Sequence, residues 1–147
     1  MEQFLPGDAV RLLFDIKNDG TFYGVQRGTI MQPAGARGYV AYRNDLADLT
    51  VYEVHFPESN TTMGCRDKEL IPGDDPWSPP AFKKGDVVAA RIDLTQNQAV
   101  LVPEGTVGQV SVIRFQKNIG YIYEVRFKKL NDQYCLLTEA QLVGSNI

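Results

Sequence analysis

The chain has one histidine and two cysteines in 147 residues, and nowhere approaches the roughly 18 uninterrupted apolar residues of a membrane-spanning helix. Each scarcity removes a class of function. A structural zinc site or an iron–sulfur cluster takes four ligands as a rule, so His55 with Cys65 and Cys135 cannot complete one within a single chain, and neither a metal nor a cofactor is expected. Two cysteines are also too few for a disulfide framework. Positive charge is in deficit: a formal charge of −3 and an isoelectric point of about 5.1 supply no global basic field, so nucleic acid is not an expected partner. The first 13 residues carry Glu2, Asp8 and Arg11 instead of the basic start and apolar stretch of a secretory signal. A cytoplasmic protein with no membrane partner is expected.

What is present has globular proportions, with 44% hydrophobic and 22% charged residues. The clearest organisational signal is internal similarity. Pro6-Gly7-Asp8-Ala9-Val10-Arg11 returns as Lys84-Gly85-Asp86-Val87-Val88-Ala89, a shift of 78. Gly35-x-x-Gly38 returns as Gly105-x-x-Gly108 and Val51-Tyr52-Glu53-Val54-His55-Phe56 as Ile122-Tyr123-Glu124-Val125-Arg126-Phe127, at shifts of 70 and 71. Lys68-Glu69-Leu70-Ile71 matches Ala140-Gln141-Leu142-Val143 at a shift of 72. Order is preserved, which predicts two related units rather than one domain. Between them, four prolines in residues 72–80 exclude both helix and central strand. Trp77, inside that stretch, is expected to pin the connector against one of the units.

Within each unit the hydrophobic period is two. Tyr52, Val54 and Phe56 alternate with Val51, Glu53 and His55, and Tyr121, Tyr123, Val125 and Phe127 with Ile122, Glu124 and Arg126. Gly-Asp followed by an apolar run opens each unit, the Gly-x-x-Gly elements supply turns, and residues 57–60 and 130–132 read as hairpin loops. About five short strands in some 70 residues predict an all-β chain of two tandem small SH3-like β-barrels. The expected division is a first barrel over 1–71, a Pro-rich connector over 72–81 and a second barrel over 82–147. Curling each sheet on itself would remove exposed edges, and packing of the barrels together would help both.

No catalytic constellation is legible. His55 sits where the repeat has Arg126, and arginine cannot replace an imidazole as base or metal ligand, so His55 is expected to be a solvent-facing polar site. The Gly-x-x-Gly elements lack the following Lys-Ser/Thr of a phosphate loop. Cys135, in Tyr134-Cys135-Leu136-Leu137, is expected to pack in a core. Cys65, between Gly64 and Arg66, is the better candidate for a reactive thiol, because adjacent positive charge lowers a thiol pKa. Residues 16–21 form a polar, turn-rich loop running into Phe22-Tyr23-Gly24-Val25, whose aromatics either pack back on the barrel or form a docking patch.

Ile16-Lys17-Asn18-Asp19-Gly20-Thr21, Arg37-Gly38-Tyr39-Val40, Val51-Tyr52-Glu53-Val54-His55-Phe56-Pro57-Glu58, Gly64-Cys65-Arg66 and Glu69-Leu70-Ile71-Pro72 with Trp77 resemble the nitrogen-fixation accessory family NifZ. The resemblance covers most of the first unit and the connector; the second unit agrees mainly in architecture. It implies a chaperone-like maturation factor, not an enzyme, for the molybdenum–iron protein of nitrogenase. Such a factor would help the second P-cluster form from paired [4Fe–4S] precursors, with the nitrogenase iron protein as reductant. The implied partner is the immature molybdenum–iron protein, with the iron protein and other assembly factors as further partners. The expected docking residues are Asn18, Asp19, Gly20, Thr21, Phe22, His55 and Arg66, with Cys65 as a thiol near the cluster. Two rival classes are an SH3-like accessory subunit, such as the variable chain of ferredoxin–thioredoxin reductase, and a barrel-type nucleic-acid binder, which the acidic balance opposes.

Overall fold

The computed structural model describes residues 3–21, 23–131 and 133–145. The chain divides into two compact units, the first ending at Pro79 and the second beginning at Pro80. The described residues contain no α-helix.

The first unit has seven strands: β1 (Ala9–Leu12), β2 (Ile16–Lys17), β3 (Ile30–Gln32), β4 (Arg37–Leu46), β5 (Leu49–Phe56), β6 (Thr61–Arg66) and β7 (Leu70–Pro72). Five form an antiparallel sheet in the order β6-β5-β4-β1-β7, while β2 pairs only with β3. The second unit repeats this with β8 (Val87–Ala90), β9 (Leu94–Gln96), β10 (Ala99–Val102), β11 (Val107–Gln116), β12 (Gly120–Phe127), β13 (Gln133–Thr138) and β14 (Leu142–Gly144). Its sheet runs β13-β12-β11-β8-β14, and β9 pairs with β10. Among the described residues no pairing joins the two ends of either sheet, so β6, β7, β13 and β14 remain edges. The expected curling of each sheet until its edges vanish is therefore not carried by strand pairing.

The alternation read from the sequence is the alternation of burial. Tyr52, Val54 and Phe56 of β5, and Tyr121, Tyr123, Val125 and Phe127 of β12, are all buried, each apolar side chain contributing on the order of 1.5–3 kcal/mol. In the first unit they pack with Phe4, Val10, Leu12, Val40, Met63, Cys65 and Leu70. Each core also holds a tyrosine whose hydroxyl is tied to a carboxylate. Tyr123 donates to the Glu139 carboxylate (2.7 Å) and accepts the backbone N–H of Ala81 (3.1 Å). Tyr52 accepts the N–H of Phe4 (3.1 Å), and its hydroxyl is bonded to Asp67. Burial, with the neighbouring carboxylate, pushes both phenols above their ordinary range. These tyrosines pin the start of each unit to its end, which is a structural use of a charged partner.

The two glycines of each Gly-x-x-Gly play different parts. Gly35 and Gly105 take positive φ (+92° and +85°) in turns, as expected. Gly38 and Gly108 do not. A Cβ on Gly38 would lie 2.6 Å from the His55 carbonyl oxygen, and one on Gly108 would lie 2.7 Å from Val125, so here glycine permits close packing against the neighbouring strand.

The proline-rich segment follows the first unit's surface. Gly73 donates to the Ala9 carbonyl (2.9 Å), Arg37 pairs with Asp74 (3.2 Å), and Trp77 lies over the Arg11 guanidinium at 5.4 Å. A Cβ on Gly35 would meet the Trp77 ring at 2.5 Å. Trp77 thus pins this segment to the first unit.

Candidate docking surface of the first unit

Strand equivalence locates the one large difference between the units. Ile16↔Gln32 and Lys17↔Ile30 in the first unit correspond to Leu94↔Val102 and Thr95↔Val100 in the second, including the irregular register between the two pairs. Gln96 pairs with Ala99 across a tight turn of Asn97 and Gln98, both at positive φ. Asn18 and Thr29 stand at the corresponding positions, with the Asn18 N–H donating to the Thr29 carbonyl (2.8 Å). Where the second unit has those two residues, the first has residues 19–28, and the shift accordingly changes from 78 to 70.

Asn18 organises this longer loop from inside. Its Nδ2 donates to the carbonyls of Val25 (2.8 Å) and Gln26 (3.3 Å), its Oδ1 accepts the N–H of Gly20 (3.0 Å), and its own carbonyl accepts the N–H of Gly28 (2.8 Å). At 2% exposure it is a support for the loop, not a surface offered to a partner. Asp19 is exposed; its Oδ1 accepts the hydroxyl (2.7 Å) and the N–H (3.1 Å) of Thr21, which hold its carboxyl below the ordinary value of 3.8. Gly20 takes φ +106°, and Thr21 is exposed. Phe22 lies outside the described residues. Tyr23 is fully exposed and Val25 partly so, which removes the alternative that Tyr23 packs back onto the fold.

His55 and Arg66 share the outward face of the β4–β5–β6 sheet. Cross-strand register gives three rows on that face: Tyr39–His55–Thr62, Tyr42–Glu53–Gly64 and Asn44–Val51–Arg66. A bulge between Val40 and Tyr42 turns Tyr42 outward to 65% exposure. Half-buried His55 has its Nδ1 3.1 Å from the Thr62 hydroxyl. Arg66 is exposed, four residues along β5 from the His55 row and so about 13 Å away. The loop's root belongs to the His55 end, because buried Gln32 donates its Nε2 to the Thr61 hydroxyl (2.9 Å) and to Ser59 in the β5–β6 turn. The expected site residues therefore separate into a loop-and-His55 region and a distant Arg66.

The cysteines exchange their expected places. Cys65 is buried at 1% exposure in the core, and burial, with a smaller contribution from Glu69, pushes its thiol up to about 12. Arg66 does not activate it, because successive strand residues point to opposite faces. Cys135, expected in a core, is partly exposed and its thiol is raised only by burial. The two are not equivalent: at the local shift of 72, Cys65 corresponds to Leu137 and Cys135 to Met63. Among the described residues no group of three His, Cys, Asp or Glu side chains could hold a metal ion. No helix there is long and apolar enough to cross a membrane.

Tyr39, Tyr42 and Tyr23 complete the surface, and of these sequence reasoning raised only Tyr23, as one arm of the choice between packing and docking. The bulge that exposes Tyr42 leaves no mark in the sequence, whereas the apolar run 22–25 did signal Tyr23.

Comparison with known proteins now bears on this surface. The NifZ domain family matches residues 1–72, which contain the loop and all three rows of the outward face. Protein NifZ of Azotobacter vinelandii is 38% identical over 129 residues, covering 86% of this chain and 81% of that protein. Protein NifZ of Azotobacter chroococcum mcd 1 is also 38% identical over 129 residues, covering 82% of its length. Protein NifZ of Klebsiella pneumoniae is 33% identical over 126 residues, covering 85% of this chain and 84% of that protein. No solved structure matches.

Proposed function

The chain belongs to the NifZ family, and from that premise we propose that it is a non-enzymatic maturation factor of nitrogen fixation. It binds the immature molybdenum–iron protein of nitrogenase transiently in the cytoplasm while the P-cluster forms there, with the iron protein as a further partner. Family membership carries this reading. Each unit is read as an SH3-like barrel, a reading supported by a long bulged central strand, a 3₁₀ turn before the last strand and the order β6-β5-β4-β1-β7. In that arrangement the loop over residues 18–29 borders the ligand-binding side.

The client docks on the loop and the His55 end of the outward face: Asp19, Gly20, Thr21, Phe22 and Tyr23 from the loop, with Tyr39, Tyr42 and His55 from the sheet. Asn18 shapes the loop, and Arg66 contributes at the periphery. Exposed tyrosines beside a few polar groups suit a transient interface of about 1,000–1,500 Å². The cluster is held by the client's own cysteines, since a buried thiol pushed up to about 12 is a poor iron ligand at neutral pH.

Affinity capture from nitrogen-fixing cells arrested in cluster maturation tests the reading. The tagged protein should retain the immature molybdenum–iron protein and release the mature one. Equal retention of both, or of neither, overturns it. Cys65→Ser that blocks cluster maturation while leaving capture intact would replace the scaffold reading with direct thiol chemistry.

A further inference from the structure

The second unit differs from the first at its edge. On the outward face of β6, register places Thr62, Gly64 and Arg66, which are polar or small. The same positions in β13 hold Tyr134, Leu136 and Thr138, with Tyr134 at 50% and Leu136 at 63% exposure. The fold does not require apolar side chains there, because the first unit does without them. Across the sheet Leu136 continues through Glu124 to exposed Val112, and Tyr134 through Arg126 to Gln109. No proline or lysine interrupts β13, the usual means by which an open edge is protected.

Positive charge gathers at one end of this edge. Glu124 is paired with Arg114 (3.2 Å), and Glu139 holds the Tyr123 hydroxyl and the Ala81 N–H. Arg126, Lys128 and Lys129, beside the Gln133 end of β13, have no acidic partner among the described residues. Asp132 lies outside those residues. Lys84 and Arg126 also line a shallow recess with Ser111 on the same sheet. Residues 80–147 hold eight Lys and Arg against six Asp and Glu, whereas residues 1–79 hold seven against twelve.

We propose that β13 is a second docking site, which takes an extended acidic segment of a partner protein as an added strand. The partner's backbone pairs with the free side of β13, its apolar side chains meet Tyr134 and Leu136, and its carboxylates meet Arg126, Lys128 and Lys129. This site uses no residue of the first unit's surface and stands independently of the maturation reading.

The test uses the full chain and a capped synthetic peptide with valine at alternate positions and a run of glutamates at one end, read by amide hydrogen exchange. Alternate amides of residues 133–138 should slow at least tenfold on saturation. Reversing Arg126, Lys128 and Lys129 to glutamate should weaken binding about tenfold and remove its salt dependence. Leu136→Lys should abolish binding without lowering Tm, because Leu136 is exposed. Three results overturn the proposal: no slowing, slowing confined to β6 or β14, or equal binding of a valine–lysine peptide. A concentration-dependent dimer lost in Leu136→Lys also overturns it, by making a second copy the occupant.

Discussion

Replacing residues 19–28 with Asn-Gly would give the first unit the short hairpin of the second and separate the loop's function from the fold. The graft is geometrically defined. Gln96 pairs with Ala99 across Asn97 and Gln98, and Asn18 faces Thr29 at the equivalent positions, so the flanking strands need not move. Asn97 and Gln98 adopt φ of 54° and 68°, the conformation that Asn-Gly favours in a two-residue hairpin. Shortening the connection from ten residues to two lowers the loop-closure cost by about 1.5 kcal/mol. The Asn18 side-chain bonds to Gly20, Val25 and Gln26, all within the excised loop, go with it. Gln32, which ties the loop's root to Thr61, is retained. For a unit of this size 1 kcal/mol moves Tm by about 4–8 °C, so Tm should stay level or rise by up to about 10 °C. Differential scanning calorimetry with Trp77 fluorescence reads this on the first unit, while capture of the immature client should fall at least tenfold. A Tm drop beyond about 5 °C would make the loop part of the core, and undiminished capture would remove it from the docking surface.

Asn18→Ala should accelerate amide exchange at Gly20 and Gly28 by about thirtyfold, the equivalent of roughly 2 kcal/mol of lost hydrogen bonding, and lower the first unit's Tm by about 8–16 °C; unchanged exchange would deny Asn18 its supporting role. Gly38→Ala should cost about 1–3 kcal/mol in urea denaturation, because its Cβ would meet the His55 carbonyl oxygen at 2.6 Å, whereas Gly144→Ala, with open space around it, should be neutral. At pH 8 a maleimide should label Cys135 far faster than Cys65, whose burial keeps it protonated; equal rates would refute the core placement. The Asp19 carboxyl is depressed in the folded loop, so its contribution is present above the ordinary value of 3.8 and is lost as pH falls through the lower folded value. Protection of the loop amides, relative to their intrinsic exchange rate at each pH, should therefore fall only below the ordinary value of 3.8.

Much of the architecture was legible because each unit repeats a period-two pattern whose apolar phase is the buried phase, as in Tyr52–Val54–Phe56 and Tyr123–Val125–Phe127. The change of shift from 78 to 70 carries the mark of an insertion between the segments concerned, but it took strand equivalence to place it at residues 19–28. The candidate site was less legible, for reasons of direction. Asn18 sits in a polar, turn-rich sequence that reads as exposed, yet its amide points inward to satisfy the loop's own carbonyls. Cys65 neighbours Arg66 in sequence and lies on the opposite face of the strand in space. His55 and Arg66 share a face but stand in different rows, and only register reveals the separation.

Two copies of one fold in one chain allow function to be located by subtraction. Whatever both units keep is what the fold needs: the buried Tyr–carboxylate pin, the edge-on contacts of Phe4 with Tyr52 and Phe82 with Tyr123, and the close-packed Gly38 and Gly108. Whatever they do not share must be explained otherwise. The first unit alone has the ten-residue loop and the cradle of Arg11 and Gly35 that holds Trp77, positions where the second unit has Ala89 and Gly105. The second unit alone has an apolar edge strand with Arg126, Lys128 and Lys129 gathered at one end. An acidic unit with an elaborated loop and a basic unit with an open edge strand are suited to different surfaces. If both proposed sites engage one client, the second engagement becomes effectively intramolecular once the first has formed. For the proposed role of gripping an unfinished protein and later releasing it, two weak sites permit stepwise dissociation where one tight site would not.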